Sequence, residues 1–310
     1  GTVVNRRSGA EVNKIIRDVD YLIHKVMYDD RKSSRWSLYL KSRNCGFTTQ
    51  AGGVIPIYFA YMYAGCTVNL TSADNERIGN MFRKCLMPMY EGMDIEVRPD
   101  KKSKNDSDVG VGLTLMVNTI ENGKHKTKDT YIRCKATAHS ESAASSFSGG
   151  GSMYNNIDEK YLNTRGEKVA QSLIDVSRDK DSGLLEGYTI AGGTAEAIIS
   201  QEQLAVYKRE WAKADNSHIW SKTFIPFFLG SYMVNGHSNY EKATENWEKE
   251  AEGYLKSGDQ EGYIAFRKNH PRDETDVFEF STSSKWDTDV SQSIKLQYDV
   301  ALKEKSAGTN

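Results

Sequence analysis

Residues 36 to 49 read Trp36-Ser37-Leu38-Tyr39-Leu40-Lys41-Ser42-Arg43-Asn44-Cys45-Gly46-Phe47-Thr48-Thr49. The first five form a short apolar run after the polar stretch 30 to 35, the pattern of a buried strand. They feed a polar turn, and residues 48 to 64 then mix small and aromatic side chains in the manner of a buried helix. A loop between a strand and a helix N-terminus gathers backbone N–H groups that can hold an anion. The usual phosphate loop is G-x-x-x-x-G-K-[ST]: its amides surround phosphates, its lysine reaches the β and γ phosphates, and its hydroxyl holds Mg²⁺. Gly46 and Thr48 fit the second glycine and the hydroxyl, whereas Lys41 stands where the first glycine belongs and Phe47 where the lysine belongs. The competing reading is a plain strand-to-helix turn.

Outward from this stretch the order of elements points to an α/β chain. Residues 66 to 72 read as a second strand, followed by a helix from about Asp74, its N-cap, to Met89. Strand, loop, helix, strand, helix is the sequence of a parallel sheet with crossover helices. From 94 to 137 alternating segments (Ile95 to Pro99, Gly112 to Val117, Thr130 to Lys135), with turns such as Glu121-Asn122-Gly123-Lys124, predict an antiparallel extension. Upstream, Val12, Ile15, Ile16, Val19, Leu22, Ile23 and Val26 recur at helical spacing, which predicts one packing helix over 9 to 29. Downstream, the pattern predicts a short strand from Met153 to Ile157, a helix over 164 to 179, and a strand from Gly187 to Ala191 that exits through Gly192-Gly193-Thr194. A helix with Leu204, Tyr207 and Trp211, an apolar run from Phe224 to Leu229, and charged helices at about 239 to 256 and 259 to 268 follow. The last thirty residues are polar, a tail or linker, and Asp276, Glu279 and Asp287 toward this end of the chain read as solvated charge.

Composition bounds the function. The 310 residues are 38% hydrophobic and 27% charged, ordinary values for a folded domain. No run approaches the roughly 18 apolar residues of a membrane helix, and no signal-peptide layout is present, so an intracellular protein without membrane partners is expected. Cys45, Cys66, Cys85 and Cys134 have neither C-x-x-C spacing nor histidine partners, which argues against a zinc site or a disulfide framework. A net charge of -1 leaves any nucleic-acid contact to local clusters. Two are Lys101-Lys102-Ser103-Lys104 and Lys124-His125-Lys126-Thr127-Lys128. The opening residue, Gly1, fits a piece of a longer protein.

A second chemical element is Ile157-Asp158-Glu159 at the end of its strand. In phosphate-loop ATPases an aspartate there organises Mg²⁺ and an adjacent glutamate polarises the attacking water. The alternative is a loop with a solvated acidic turn, because Asn155 and Asn156 interrupt what should be an apolar strand.

Taken in order, these motifs resemble the terminase large subunits of tailed bacteriophages, over roughly 35 to 280. In that family the loop lysine often moves to the start of the motif, and Lys41 to Thr48 is similar to that variant. The strand and helix at 66 to 89 resemble the family's next βα unit, Tyr154 to Glu159 its Walker B strand, and Gly192-Gly193-Thr194 its coupling motif. The resemblance implies a P-loop NTPase fold of ASCE type, with a mainly parallel sheet flanked by helices and an antiparallel extension. It implies an N-terminal helical segment over 1-34, an ATPase core over 35-235, and a helical subdomain with a polar linker over 236-310, leading toward a nuclease domain that is expected to fall outside these residues.

The resemblance also assigns roles. Lys41 would neutralise phosphate charge, and the loop from Ser42, Arg43, Asn44, Cys45, Gly46 and Phe47 to Thr48 and Thr49 would wrap ATP. Thr48 and Asp158 would hold Mg²⁺, Glu159 would orient the water, and Arg43 would stabilise transition-state charge. Thr194 would sense the hydrolysis state. Arg35 and Trp36 would border the adenine, unless Trp36 is mere packing. The implied partners are double-stranded DNA, the portal protein and procapsid, a small terminase subunit and sister copies in a pentameric ring. The implied location is the host cytoplasm and, transiently, the portal vertex. A helicase-like ATPase and a non-catalytic viral structural protein are the competing functions.

Overall fold

The structure, a computed structural model, describes residues 2–4, 11–13, 16–102, 112–137, 151–160, 165–179, 181–182, 184–194 and 201–279; at 2–4, 11–13, 201–203 and 279 it describes the backbone alone. In chain order the strands are β1 (Thr2–Val4), β2 (Glu11–Asn13), β3 (Trp36–Lys41), β4 (Thr67–Ser72), β5 (Asp100–Lys101), β6 (Leu113–Glu121), β7 (Lys124–Ala136), β8 (Ser152–Asp158), β9 (Tyr188–Gly193) and β10 (Trp220–Ile225), with a two-residue pair, β11 (Met233–Val234) and β12 (His237–Ser238), after them. The main sheet has the order β10-β3-β9-β8-β4-β7-β6-β5. Its first six strands are mutually parallel, and β6 and β5 add on antiparallel. This is the P-loop NTPase fold, with β9 inserted between the strand that enters the glycine turn and the strand that ends in the acidic pair.

The helices are α1 (Asp18–Lys32), α2 (Phe47–Thr49), α3 (Ile55–Met62), α4 (Asn75–Met81), α5 (Met87–Glu91), α6 (Gly166–Ser177), α7 (Gln201–Ala214), α8 (Tyr240–Ser257), α9 (Gln260–Asn269) and α10 (Glu274–Glu279). β3 and β4 are buried along their whole length, which is why they read as continuous runs and not as alternations. α2 continues through a π-turn at Gln50–Val54 into α3, and α4 continues through another at Phe82–Leu86 into α5. The two helices meet at these turns, where a Cβ on Gly53 would lie 2.8 Å from the Cys85 carbonyl oxygen. Asp74 caps α4 by accepting the Arg77 N–H.

Register assigns the two sheet faces. Ser37, Tyr39, Tyr154, Asn156, Asp158, Tyr188 and Gly192 share the face covered by α2 and α3, because Tyr39 packs on Phe47, Tyr154 on Phe59, and the Tyr154 hydroxyl donates to the Ala51 carbonyl. Leu38, Asn69, Asn155 and Thr189 share the other face, toward α6. A smaller core of Phe227, Ala243, Trp247, Ala251 and Phe266 holds α8 and α9 together.

Several expectations need correction. The packing helix begins only at Asp18, because β2 takes residues 11–13 into a pair with β1 and the Arg17 N–H and guanidinium both bind Asp20, which starts the helix there. Ile16, counted in the helical period, is 78% exposed. Ile95 to Pro99 is turn, not strand: Ile95 and Val97 are exposed, and Pro99 has no N–H for a ladder. β7 is half of an antiparallel hairpin, closed by Asn122 (φ 52°) and Gly123 (φ 72°), but it also joins β4 in parallel. Gly192 and Gly193 belong to β9. Asp276 is no solvated charge; it is 2% exposed and binds Arg267 and Arg272. The Glu279 side chain and Asp287 lie outside the described residues. No described helix is long and apolar enough to cross a membrane.

Candidate functional site

Parallel strands bring their C-terminal ends to one edge of a sheet, where ligands of open α/β folds bind. At that edge β3 delivers Lys41, β8 delivers Asp158 and β9 leads to Thr194. The Lys41 ammonium lies 3.0 Å from Glu159 Oε1, with the two side chains 6% and 16% exposed. The Thr48 hydroxyl, in the first turn of α2, donates to Asp158 Oδ1 at 3.2 Å. The Thr194 N–H donates to Glu159 Oε2 at 3.1 Å, and its hydroxyl approaches the same oxygen at 3.5 Å.

The turn between β3 and α2 has the local geometry its sequence demands. Gly46 takes φ 86° as the N-cap, and Asn44 takes φ 61°, a conformation asparagine tolerates better than most residues. Phe47, at the lysine position, points inward: it is 1% exposed and packs on Tyr39 at 5.0 Å. A Cβ on Gly192 would come within 2.6 Å of its ring, so glycine is required in β9 for this aromatic to fit. Lys41 therefore brings the charge from the strand side, with its Nζ 5.5 Å from the Phe47 ring centre. The Ser42 N–H donates to the Ile225 carbonyl, and the Arg43 N–H and Ser42 hydroxyl both donate to the Asn269 carbonyl at the end of α9. The loop is thus tied to the C-terminal helices. Cys45 is buried, with its thiol pKa pushed up by burial, and Thr49 is half-buried.

The charges at this edge are strongly interdependent. Burial and the neighbouring Glu159 charge push the Asp158 carboxyl up to about 6, against the opposing pull of Lys41 and the Thr48 hydrogen bond. Burial works against the Lys41 ammonium, but Glu159 and Asp158 outweigh it and hold its pKa above the ordinary lysine value. Glu159 itself sits at φ 49°, a conformation that costs a non-glycine residue about 1 to 2 kcal/mol. Such outliers gather at functional sites.

Two expected residues lie elsewhere. Trp36 is at the end of β3 away from the glycine turn, fully buried, with its indole N–H on the Gly187 carbonyl and its ring against Trp220, the contacts of a packing residue. Arg43 is exposed on the outer side of the loop, where its guanidinium binds Asn269 Oδ1 at 3.3 Å. One residue that the motif reading missed lies against the loop. The Arg17 guanidinium rests on Gly46, so close that a Cβ there would meet its Nη2 at 1.8 Å, and Asp20 holds it from behind. Nothing but position before a helix marked it in the sequence.

The donor set suits magnesium. One carboxylate and one hydroxyl face the loop, and among the described residues no three His, Cys, Asp or Glu side chains group to cage an ion. Mg²⁺ typically uses one or two carboxylates and completes its shell with phosphate oxygens and water. The basic patches are partly neutralised: Lys126 and Lys128 share Glu121, and Lys102 binds Asp129. Ser103 and Lys104 lie outside the described residues.

No family model matches the sequence, and no curated protein is similar to it at the sequence level. Among solved structures the chain is similar to the large terminase ATPase domain of Thermus phage P74-26, with TM-score 0.51, 10% identity and coverage of 84% of this chain and 99% of that one. A mutant of the same domain gives TM-score 0.51 and 10% identity over 87% of this chain. The large terminase of bacteriophage HK97 gives TM-score 0.50 and 9% identity over 87% of this chain and 52% of that one. The fold is that of phage large terminase ATPase domains.

Proposed function

We propose that this chain is the ATPase motor of a viral terminase large subunit, coupling ATP hydrolysis to the movement of double-stranded DNA into a procapsid. The observation that carries the reading is the meeting of Lys41, Thr48, Asp158, Glu159 and Thr194 around one glycine turn. In this reading residues 35-235 are the motor core, 1-34 is the N-terminal segment that carries α1, and 236-310 holds a helical subdomain and a polar linker.

The chemistry follows from these contacts. The amides from Asn44 to Thr48 wrap the phosphates at the start of α2, where the helix dipole favours anions. Lys41 and Arg17 supply positive charge from opposite sides of the loop. Thr48 and Asp158 would anchor Mg²⁺, which when bound would neutralise phosphate charge. Glu159 is paired with Lys41 in the present arrangement. When phosphates draw the ammonium away, one carboxylate oxygen becomes available to accept a proton from the attacking water, while the Thr194 N–H keeps the carboxylate aimed. Loss of that water changes the load on Thr194 and so on β9. Arg43, tied to Asn269, belongs in this reading to the link between loop and C-terminal helices.

The test is turnover. Lys41→Ala and Glu159→Gln are expected to abolish ATP hydrolysis, and Glu159→Gln to retain nucleotide binding, in a chain that still folds by circular dichroism. Normal rates in both variants would end the ATPase reading. Turnover stimulated by single strands, with no response to procapsids, would redirect it to a helicase-like enzyme.

A further inference from the structure

On leaving β8 the chain turns left-handed at Glu159, and the side chain of Lys160 passes to the sheet face opposite the phosphate loop. There it is 6% exposed, ion-paired with Glu210 of α7, itself 11% exposed, and its ammonium lies 5.6 Å from the Trp220 ring centre. The Lys160 N–H donates to the Gly192 carbonyl at 3.0 Å. Residue 160 is therefore fixed at both backbone and side chain, immediately beside the residue proposed to orient water.

We propose that Lys160 is a positioning residue: its ion pair with Glu210 clamps the left-handed turn that aims the Glu159 carboxylate, and makes α7 the helix that moves with that carboxylate. The inference rests on the ATPase reading above. Three observations support it. A left-handed glutamate persists only where its surroundings hold it, and the next residue, Lys160, is tied at its N–H to Gly192 and at its ammonium to Glu210. Glu210 belongs to a larger set, since burial and Glu167, to which it is hydrogen-bonded, raise its pKa, while that hydrogen bond lowers the pKa of Glu167. Finally, the pair walls a cavity of about 630 Å³ with Leu38, Ile174 and Trp220, so it can part without displacing packed side chains. α7 in turn holds the last described helix, because the Trp211 indole donates to Glu274 and Tyr207 packs on Phe278.

The experiment uses the full chain with Lys160→Met, Glu210→Gln and the double variant, measuring steady-state turnover, binding of a fluorescent ATP analogue with Mg²⁺, and hydrogen exchange over 204–214. Each single change is expected to lower kcat roughly 10- to 100-fold, the usual cost of a misplaced catalytic group, with KM and analogue affinity unchanged. The double variant should be no worse than the singles, because both break one clamp. Mg²⁺ and the analogue should alter exchange in α7 of the unaltered chain and leave it unaltered in Lys160→Met. Unchanged kcat, or losses that multiply in the double variant, would overturn the clamp alone. Absence of binding and turnover in the unaltered chain would bring down the ATPase reading with it. Should Lys160→Met fail to fold, Glu210→Gln decides by the same criteria.

Discussion

Asn155 and Asn156 are neighbours in β8, both sealed from solvent, yet they point to opposite faces of the sheet and are treated differently there. The Asn155 amide accepts from Asn69 and Ser152 and donates to Ser177 and Thr189, so every hydrogen-bonding site on it is used. The Asn156 amide makes one weak contact, to the Met81 sulfur at 3.5 Å, and its Oδ1 has no hydrogen-bond partner among the described residues. The same face carries the unpartnered Ser72 hydroxyl at the tip of β4 and the Asp158 carboxyl with its raised pKa. One face is a finished polar layer that locks β4, β8, β9 and α6 together. The other, among the described residues, keeps unsatisfied groups on the face that carries Asp158 and the glycine turn. Buried polarity marks a site only where it is left incomplete.

The largest effect that would break this contrast concerns the two amides. Asn155→Leu takes the donor from the Ser177 and Thr189 hydroxyls in a dry core, while Asn69 and Ser152 still bond each other; two orphaned groups at about 1 to 3 kcal/mol each predict a loss of about 2 to 6 kcal/mol. Asn156→Leu removes an amide that is already poorly served and should fall within about 1 kcal/mol of neutral. Urea unfolding of the two variants measures both. Equal losses would mean that the faces do not differ in kind.

The next effect has the opposite sign. The Asp158 carboxyl titrates at about 6 when folded and 3.8 by its ordinary value. Folding therefore gains from its proton fully below about pH 4, and that gain is lost as pH rises through 6. Above pH 6 a buried charge remains, and Asp158→Asn should stabilise the metal-free chain by up to about 3 kcal/mol, the equivalent of a two-unit shift. The advantage should vanish below pH 4, and Mg²⁺-dependent nucleotide binding should be lost. Thermal melts at pH 8 and pH 4 in chelator test it, and destabilisation at pH 8 would show that the carboxylate is structural.

This asymmetry also explains what was legible in the sequence. β3, β4 and the αβ order were readable because two-sided burial writes continuous apolar runs. Lys41, Gly46, Thr48, Asp158 and Glu159 could be named as candidates because motif chemistry is local, and the fold brings them to one edge of the sheet. Asn155 was a puzzle, because its four partners come from β4, β8, β9 and α6 and no window along the chain contains them. Arg17 was hidden for the same reason: it reaches Gly46 only after α1 docks. The helix drawn over 9 to 29 failed because a period of apolar residues does not record where β2 pairs.

The smallest effect sharpens the contrast most. Ser72 is 1% exposed, and its hydroxyl has no hydrogen-bond partner among the described residues. In the register of β4 against β8, where Thr71 faces Ile157, the next pair is Ser72 and Asp158, so its side chain shares the face of the carboxylate. Ser72→Ala removes a desolvated group that gains nothing from the fold, at almost no change in volume. It should shift stability by under about 1 kcal/mol, toward greater stability. Thr189→Val, on the finished face, deletes an acceptor used by Asn155 and should cost about 1 kcal/mol or more. The two substitutions remove comparable hydroxyls from comparably buried strands, so a difference in sign between them, read in the same urea titration, isolates satisfaction from burial. If Ser72→Ala proves the more costly, the hydroxyl is bonded in the folded chain, and the face that carries the glycine turn is as complete as the other.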